Sequence, residues 1–325
     1  MKLAVMGAGA VGQSVAQLAG EYGHTIAGIS DRGGAVWDPE GIDVNAALAR
    51  KRKKGSVHSE SNIDLLEADY DVLVEATPTT LGDAEPGFGH VTRALSRDRH
   101  VVLANKGPMA ERYDEVMAAA AGSAGSVRFE ATVGGAIPAI ATAEGLGAEH
   151  ISAARGVLNG TANFILTRMQ TEGLAYEHVL AEAQDLGVAE ADPSFDVNGT
   201  DAGLKGVILA NVLDGGGHTI GDAHIDGIED FPANALDVAG EDGMTIRLIV
   251  EVTADRVRVG PRLVPKNDTL AVTGTMNILQ FDTEYAGQLN ISGRGAGGPE
   301  TASAVLADVD RLGCEPGSKG SSQAE

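Results

Sequence analysis

The architecture of the first half of the chain is indicated by residues 1–23, MKLAVMGAGAVGQSVAQLAGEYG. Its apolar run at 2–6 predicts a buried β-strand, the segment GAGAVG at 7–12 predicts a turn, and the apolar spacing that follows predicts a helix. A second apolar run, at 24–30, ends at Asp31, about 20 residues after the glycines. A strand, a glycine turn, a helix and a second strand in this order are typical of a dinucleotide-binding unit.

Each glycine of GAGAVG has a physical task in such a unit. One glycine allows the tight turn, one lets the backbone approach a pyrophosphate, and one lets the helix pack closely on the strand. The first amides of the helix are free to bind phosphate, so Ala10 and Val11 join Gly7, Gly9 and Gly12 as expected cofactor-binding residues. The pattern also serves plain helix packing, but its position between a strand and a helix favours a nucleotide.

The residues near the end of the second strand leave the choice between NAD and NADP open. Asp31 is placed to accept hydrogen bonds from a ribose 2′-hydroxyl, which favours NAD. Arg32 beside it is placed to bind a 2′-phosphate, which favours NADP. The basic run KRKK at 51–54 holds three of the eight lysines of the chain. That run is either a solvated helix end or a cationic lip that holds NADP.

The alternation of strands and helices continues beyond the glycine turn. Further buried runs occupy 70–74, 100–103 and 127–131, and helical patterns lie between them at 89–97 and 112–121. Such alternation predicts a parallel sheet covered by helices. We therefore expect an α/β fold that begins with a Rossmann-type parallel sheet.

The rhythm changes after about Gly135. Helical patterns at 161–170, 176–187 and 201–213 are followed by β-branched, strand-rich stretches at 244–265 and 269–279. This order predicts a second, α+β domain.

The predicted domain boundaries follow from these patterns. Residues 1–135 together with 300–312 form the dinucleotide-binding domain, because the helical run Thr301–Leu312 is expected to return and pack on it. Residues 136–299 form the substrate-binding and dimerisation domain. Residues 313–325 have the composition of a tail.

Composition narrows the class of protein. The 325 residues carry a formal net charge of −22, and 43% of them are apolar, which is too many for intrinsic disorder. Phosphate backbones and anionic lipids would repel so acidic a surface, which argues against nucleic acid and membrane partners. A salty cytoplasm would screen this charge, so we expect a halophilic type of surface. The single cysteine, Cys314, excludes an intrachain disulfide and indicates a reducing cytoplasm.

Once the chain ends, the basic run and Lys266 are set aside, two of the eight lysines remain. Lys106 follows a predicted buried strand, at the sheet edge where ligands of open α/β folds bind. Lys205 follows Asp201 by one helical turn, so the two side chains share a face. Their spacing alone equally fits a surface ion pair, but the same helix continues as GVILANVL, so we expect both groups to be buried. Burial lowers the pKa of an amine and suits it to proton exchange near neutrality.

Six motifs resemble those of one enzyme family, in the family's order and over nearly the whole chain. They are GAGAVG, VVLANKGP (101–108), EATVGGAIP (130–138), GVLNGTANFIL (156–166), GVAEADPSFDVNGTDAGLK (187–205) and GRGAGGPETASAVLADV (293–309). Together they resemble homoserine dehydrogenase. The resemblance implies NAD(P)-dependent interconversion of L-homoserine and L-aspartate 4-semialdehyde, on the route to threonine, methionine and isoleucine. It also implies a homodimer in which the second domain carries catalysis and dimerisation.

The resemblance assigns roles by residue-to-residue matching. The family's two active-site lysines fall on Lys106 and Lys205, and its lysine-supporting aspartate falls on Asp201. Glu190 and Asp196 match acids that would hold the ammonium group of a small amino acid substrate. The expected chemistry is hydride transfer at C4, with Lys205 moving the hydroxyl proton and Lys106 stabilising charge on the oxygen.

The expected ligand sets are as follows. The cofactor-binding residues are Gly7, Gly9, Ala10, Val11, Gly12, Asp31, Arg32, Thr77, Asn105, Lys106 and Gly295. The backbone carbonyls of Glu130, Val133, Gly135 and Ile137 match a monovalent cation site for Na⁺ or K⁺. The alternative for EATVGGAIP is a glycine-rich hinge, and the alternative for GRGAGG is a plain loop before the last helix.

The chain departs from the family pattern in two ways. Val188 stands where the family usually has tyrosine, which removes a hydroxyl near the substrate. The length predicts neither an aspartokinase segment nor a regulatory domain, so threonine feedback through such a domain is not expected. Asp192 also matches a motif acid, but Pro193 after it indicates a turn.

Three other interpretations compete with this one. Aspartate-semialdehyde dehydrogenase chemistry needs a cysteine nucleophile, and Cys314 in a predicted tail is a poor one. A sensor that binds NAD(P)H without turnover needs no paired lysines. The segment 218–226 contains two histidines and two aspartates, His218, Asp222, His224 and Asp226, but their scattered spacing favours a surface loop over a transition-metal site.

Overall fold

The computed structural model describes residues 1–58, 63–229 and 231–313. Within these ranges the strands form two six-stranded sheets. Each sheet has its own helices, and the last helix returns to the first sheet. No helix within these ranges is long and apolar enough to cross a membrane.

The first sheet is the Rossmann-type sheet that the sequence predicts. Its order is β3-β2-β1-β4-β5-β6, and every pairing is parallel except that of β2 with β3. Its strands are β1 (Lys2–Met6), β2 (Thr25–Asp31), β3 (Gly34–Trp37), β4 (Val72–Glu75), β5 (His100–Leu103) and β6 (Val127–Arg128). Its helices are α1 (Ala10–Leu18), α2 (Val44–Lys54), α3 (Gly87–Leu95), α4 (Gly107–Glu111) and α5 (Tyr113–Ala121). The parallel strands point their carboxyl ends to one edge, where ligands of such sheets bind.

The second sheet is mostly antiparallel. Its order is β12-β11-β7-β9-β10-β8, and only β8 and β10 pair in parallel. Its strands are β7 (Ile151–Val157), β8 (Ala223–Ile225), β9 (Met244–Thr253), β10 (Arg256–Pro265), β11 (Met276–Thr283) and β12 (Gly287–Arg294). The remaining helices are α6 (Ala139–Leu146), α7 (Gly160–Glu172), α8 (Tyr176–Asp185), α9 (Ser194–Val197), α10 (Thr200–Asp214), α11 (Ala233–Glu241) and α12 (Gly298–Gly313).

Helix α10 is the central helix of the second half. Its residues 201–211 are all buried, because it packs on β9 and β10 on one side and on α4 of the first half on another. Gly203 and Gly206 allow this close approach, since a Cβ at Gly206 would lie 2.8 Å from a Val250 methyl carbon. The helix that carries Asp201 and Lys205 is therefore held rigidly between the two halves.

Helix α12 closes the first half. Its apolar face, which includes Val305 and Val309, joins a core cluster with Val15 and Ala16 of α1. Gly298 at its start faces Ser14, where a Cβ would lie 2.6 Å from the hydroxyl oxygen. The first sheet is thus completed by the last helix of the chain.

Several sequence predictions need correction. The strand expected at 127–131 ends at Arg128, because Phe129 leaves the extended conformation and residues 130–132 form a 3₁₀ turn. The segment 269–275 is not a strand, and its apolar residues 270–272 instead cover the outer face of the second sheet. Helix α12 includes Gly313, where the predicted tail begins, and Cys314 lies outside the described residues.

Four strands escaped the sequence patterns. They are β3, β7, β8 and β12. β8 is three residues long and lies inside the segment expected to be a loop, and β12 has hardly any buried residues. Strands this short or this polar carry little hydrophobic periodicity, so pairing with their neighbours decides them.

Candidate functional site

One large cavity runs along the carboxyl edge of the first sheet. It has a volume of about 1020 Å³, and its walls extend from the glycine turn to Lys106 and Glu190. Three regions of its wall matter for chemistry, namely the turn after β1, the end of β2, and the ends of β4 and β5. A cavity of this size at this edge suits a dinucleotide.

The glycine turn has the shape that a pyrophosphate needs. Gly7 has φ +102°, and a Cβ there would lie 2.4 Å from the carbonyl oxygen of Ala76. A Cβ on Gly12 would lie 1.9 Å from the Gly7 carbonyl oxygen, so helix α1 packs closely on the turn. Gly9 has no heavy atom within 4 Å of its Cβ position, so at this point the backbone faces open space in the cavity. The turn and the start of α1 therefore fit the diphosphate of NAD(P).

Asp31, at the end of β2, is fully engaged by the protein. Its Oδ1 accepts hydrogen bonds from the Gly33 amide at 2.9 Å and the Ser56 hydroxyl at 2.7 Å. Its Oδ2 accepts from Lys51 Nζ and from the Val57 amide, each at 2.9 Å. Burial would raise the pKa of Asp31, but these four donors hold it below its usual value. The carboxylate expected to bind a ribose hydroxyl thus already has four protein partners.

The basic run divides in the structure. Lys51 is partly buried, lines the cavity and pairs with Asp31. Arg52, Lys53 and Lys54 are exposed at the end of helix α2. Arg32 is also exposed and lines the same part of the cavity wall. Lys51 therefore lies on the cavity wall, whereas the next three cations lie in solvent.

A hydrogen-bonded cluster lies at the ends of β4 and β5, and sequence reasoning found only part of it. Glu75 is fully buried, and its Oε1 accepts from the Thr77 amide at 3.0 Å, from the Thr77 hydroxyl and from Asn105 Nδ2 at 3.3 Å. Its Oε2 lies 2.7 Å from Nδ1 of His90. Thr77 and Asn105 were expected at the cofactor, whereas Glu75 and His90 were not. The signal in the sequence that could have indicated this cluster was a glutamate, Glu75, at the end of an apolar strand.

The two expected lysines meet at one carboxylate. Asp201 Oδ2 accepts a hydrogen bond from Lys205 Nζ at 2.6 Å, and its Oδ1 lies 3.4 Å from Lys106 Nζ. Lys205 also donates to the Leu158 carbonyl oxygen at 2.6 Å and is 6% exposed. Lys106 comes from the start of α4 in the first half, and Lys205 comes from α10 in the second. The two amines therefore lie within reach of one small molecule.

Asn159 holds the acids of this site together and was missed by sequence reasoning. Its Nδ2 donates to Asp196 Oδ1 at 2.7 Å and to Asp201 Oδ2 at 2.8 Å. Its Oδ1 caps helix α7 by accepting from the Ala162 amide at 2.8 Å. The signal in the sequence was an asparagine before a helix inside the motif GVLNGTANFIL. A helix cap of this kind is common, so only the fold shows the second task of its amide.

The acids of the segment 190–201 differ in environment. Burial raises the pKa of Asp196, and the nearby charge of Asp201 raises it further. In contrast, burial would raise the pKa of Asp201, but the charges of Lys205 and Lys106 hold it well below its usual range. Glu190 is exposed and lines the cavity close to the lysine end. Asp192 is exposed and accepts from Ser194, as expected of a turn residue.

The segment 130–137 forms a tight turn between the two halves. Gly134 and Gly135 have φ of +78° and +59°. The carbonyl of Glu130 accepts from the Val133 amide at 3.1 Å, and that of Ile137 accepts from the Ala139 amide at 2.8 Å. A carbonyl oxygen has two lone pairs, so each of these can still bind a cation. The monovalent cation site that the resemblance implies at this turn stays a prediction.

The side chain of Glu130 has a separate, structural task. Its two oxygens accept from the amides of Ile140 and Ala141 at the start of α6, at 2.9 and 2.8 Å. Its own amide donates to Asp308 Oδ2 at 2.8 Å. Burial raises the pKa of Glu130 to about 7. This residue ties α6 to α12 and so joins the second half to the first.

Gly295 packs against other parts of the protein and, like Gly12 and Asn105, does not line the cavity within the described ranges. A Cβ on it would lie 1.7 Å from Nδ2 of Asn277, and its own carbonyl lies against Gly135. The loop GRGAGG thus packs on the turn at 134–136, and the contact of Gly295 with cofactor stays a prediction.

The histidine-rich segment 218–226 makes local pairs. His218 Nε2 lies 3.0 Å from Asp214, and His224 Nε2 lies 3.3 Å from Asp226. Asp222 accepts from the amide and hydroxyl of Thr219 in a capping box. Across residues 1–58, 63–229 and 231–313, no group of three or more His, Cys, Asp or Glu residues is arranged to hold a metal ion.

Comparison with known proteins agrees with this geometry. The family model for homoserine dehydrogenase matches residues 138–309, and the model described as Glutamate/Leucine/Phenylalanine/Valine dehydrogenase matches residues 1–83. The homoserine dehydrogenase of Methanocaldococcus jannaschii is 40% identical over 327 aligned positions, which cover 95% of this chain and 97% of that protein. The NAD(+)-dependent homoserine dehydrogenase of Pseudomonas canavaninivorans is 35% identical, with 95% of each chain covered.

A solved structure is also similar over nearly the whole length. It is a hyperthermophilic archaeal homoserine dehydrogenase in complex with NADPH, with a TM-score of 0.84 and 28% identity. The match covers 96% of this chain and 97% of that one. This chain therefore belongs to the homoserine dehydrogenase family.

Proposed function

We propose that this chain catalyses the NAD(P)-dependent interconversion of L-homoserine and L-aspartate 4-semialdehyde. The observation that carries the proposal is the contact of Lys106 and Lys205 with the two oxygens of Asp201, beside a cavity that fits a dinucleotide. Two amines from different halves of the molecule then meet one substrate oxygen. A sensor without turnover has no need for this arrangement.

The residues of the chain divide the chemistry between them. When bound, the dinucleotide accepts the hydride from C4 of homoserine in one direction and supplies it in the other. Lys205 Nζ takes the hydroxyl proton during oxidation and returns it during reduction. Lys106 stabilises negative charge on the same oxygen through its ammonium group. Asp201 orients both amines, since its two oxygens contact one lysine each.

Carboxylates select the substrate by its ammonium group. Asp196 and Glu190 are the acids that we assign to this task, because an amino acid substrate needs acceptors for three N–H donors. Asn159 keeps Asp196 next to Asp201. Val188 stands where the family usually has tyrosine. Its carbonyl oxygen accepts a hydrogen bond from the Thr161 hydroxyl at 3.1 Å, which fixes the start of the segment that carries Glu190 and Asp196.

The engaged state of Asp31 favours NADP over NAD. A ribose 2′-hydroxyl would have to displace one of the four donors already bound to Asp31. A 2′-phosphate would instead meet Lys51 Nζ, which has two further N–H donors, and Arg32 on the cavity wall. We assign the cationic side chains of Arg32 and Lys51 to that phosphate.

Further parts of the proposal rest on the family relationship. The cation site is the turn of Glu130, Val133, Gly135 and Ile137, occupied by Na⁺ or K⁺. The active form is a cytoplasmic homodimer that serves threonine, methionine and isoleucine synthesis. The dinucleotide-binding domain is 1–135 plus 300–312, and the substrate domain is 136–299. An acidic surface with a net charge of −22 suits a salty cytoplasm.

The deciding experiment is an absorbance assay for the reduced nicotinamide. L-Homoserine and a panel of other small hydroxy amino acids are tested with NAD⁺ and with NADP⁺, at low and at high salt. We expect turnover with homoserine and a higher kcat/KM with NADP⁺. Dinucleotide binding without turnover of any substrate, at every salt concentration, would leave the sensor as the better description.

A further inference from the structure

Among the titratable side chains that line the cavity within the described ranges, His90 alone has no task in the mechanism above. It belongs to the first turn of α3, and its side chain is 16% exposed. It lines the same cavity as Thr77 and Lys106. One of its ring nitrogens, Nδ1, is bonded to the buried Glu75.

The contacts of Glu75 determine which nitrogen of His90 carries the proton. Besides His90, three donors point at the carboxylate, namely the Thr77 amide, the Thr77 hydroxyl and Asn105 Nδ2. All three of these donors bind Oε1, and Oε2 faces His90. An oxygen of a carboxylate can only accept, so Nδ1 of His90 is the donor in that pair. In the neutral ring, Nε2 is then an acceptor with its lone pair free.

The position of Nε2 indicates the nicotinamide half of the cavity. Among the described residues, Nε2 of His90 has no protein hydrogen-bond partner, and it is not closed off from the cavity. The same Glu75 carboxylate is bonded to Asn105, which directly precedes Lys106. Asp31 and Lys51 lie at the far end of the cavity, where the adenosine half is expected.

We propose that His90 is a cofactor-positioning residue whose Nε2 accepts a hydrogen bond from a ribose hydroxyl of the nicotinamide half of the dinucleotide. A hydroxyl is the group that fits, because a lone pair on Nε2 needs a donor and a phosphate offers none. Glu75 holds the ring in one tautomer and one orientation, much as outer carboxylates hold metal-binding histidines. The proposal rests on the proposed function only in that the chain binds a dinucleotide.

Two variants test the contributions of the two ring nitrogens of His90 separately. In His90→Asn, the amide nitrogen takes the place of Nδ1 and keeps the bond to Glu75, but nothing replaces Nε2. In His90→Gln, the longer side chain places an amide group where Nε2 was. His150→Asn is the matched control, because His150 is about half exposed and lies beside the second sheet.

The ligands form a series that isolates one ribose. Dissociation constants are measured by calorimetry for ADP, ADP-ribose and the full dinucleotide, without any amino acid present. If the wild-type protein binds the 2′-phosphorylated dinucleotide more tightly, all three ligands are used with a 2′-phosphate. ADP-ribose differs from ADP only by the second ribose, so the difference between them reports on hydroxyls of the nicotinamide half.

The expected result is specific to that ribose. His90→Asn weakens ADP-ribose and dinucleotide binding about tenfold and leaves ADP binding unchanged, and His90→Gln recovers part of the loss. The control His150→Asn binds all three ligands as the wild type does. Unchanged dinucleotide affinity in His90→Asn, or an equal loss for ADP, overturns the proposal.

A measurement on the unaltered protein guards against a variant that fails to fold. With histidine labelled for NMR, the His90 ring signal, identified from its loss in His90→Gln, shifts on addition of ADP-ribose and not on addition of ADP. Equal shifts with both ligands overturn the proposal. A failure of homoserine turnover would disprove the proposed reaction but would leave these binding results as they are.

Discussion

Asp31 and Asp201 are two lysine-bound carboxylates that are used differently. Asp31 lies on the cavity wall, whereas Asp201 is bound to Lys106, which lines the same cavity. All four partners of Asp31 lie within 26 residues of it in the chain, on the elements around β2. Asp201 joins a lysine from its own helix to a lysine from the other half of the molecule. Asp31, whose partners are local, stabilises one part of the cavity wall. Asp201 instead brings together two amines from different halves of the molecule.

Loss of Lys205 should have the largest effect, because it removes the group that moves the proton. In Lys205→Met we expect kcat for homoserine oxidation to fall about 10³-fold. Asp201 keeps Lys106 and Asn159 as partners, so the variant should still fold, which circular dichroism will show. Lys266→Met is the control, since Lys266 is exposed and bonds only the Gly240 carbonyl. Near-normal turnover in folded Lys205→Met would disprove the assignment.

Asp196 tests whether the acids at the lysine end hold the substrate. In Asp196→Asn we expect KM for homoserine to rise about 10²-fold, because a charge-assisted contact with the ammonium group is lost. Asp192→Asn should change KM little, since Asp192 is exposed in a turn of the same segment. Equal effects of the two substitutions would show that charge in this segment matters and position does not.

The raised pKa of Asp196 also predicts a pH dependence. Burial and the charge of Asp201 raise this pKa, so Asp196 takes up a proton at a higher pH than an ordinary aspartate does. The protonated acid cannot pair with an ammonium group, so KM for homoserine should rise as the pH falls towards that raised pKa. The Asp196→Asn variant has no such group, and its KM should stay flat over the same range. Parallel KM profiles would contradict this account.

Asn159 provides a further test of the Asp201 end, because it links Asp201 to a second acid, Asp196. Asn159→Ser keeps a side-chain cap on α7 but removes both donations to Asp196 and Asp201. We expect kcat/KM for homoserine to fall about thirtyfold, with little change in the melting temperature. A large loss of stability with unchanged activity would mean that the residue serves only the helix.

The smallest effect is expected at the Asp31 end. In Lys51→Gln the ratio of kcat/KM for NADP⁺ to that for NAD⁺ should fall about tenfold, because one charge-assisted bond to the 2′-phosphate is lost. Lys53→Gln is a matched control from the same basic run, and its exposed side chain should leave the ratio unchanged. If both variants lower the ratio equally, the run acts only through its general charge.

How much the sequence reveals depends on the separation between the partners. Lys205 and Asp201 are four residues apart, so helical spacing predicts their contact. The glycine turn is equally local, and its conformation was predicted for the same reason. Asn159 and Asp201 are 42 residues apart, and Glu75 and His90 come from different elements. Contacts between residues so far apart depend on how strands and helices pack, and a local sequence pattern does not predict that packing.

Asp31 shows a different limit. Its position at the end of β2 was predicted correctly, yet its partners Ser56 and Val57 lie beyond helix α2. A sequence motif predicts which acid lies near the ribose, but it does not predict whether the protein already occupies the acceptor positions of that acid. Hydrogen-bond partners have to be counted in three dimensions before a cofactor can be chosen.

The return of helix α12 to helix α1 constrains how the molecule is made on the ribosome. The start of the chain leaves the exit tunnel first, but the face of α1 around Val15 and Ala16 remains uncovered until Val305 and Val309 have been synthesised. The apolar face of α1 therefore stays uncovered until the whole second half of the chain has been synthesised. A nascent chain stalled before α12 should expose that apolar face to chaperones and proteases.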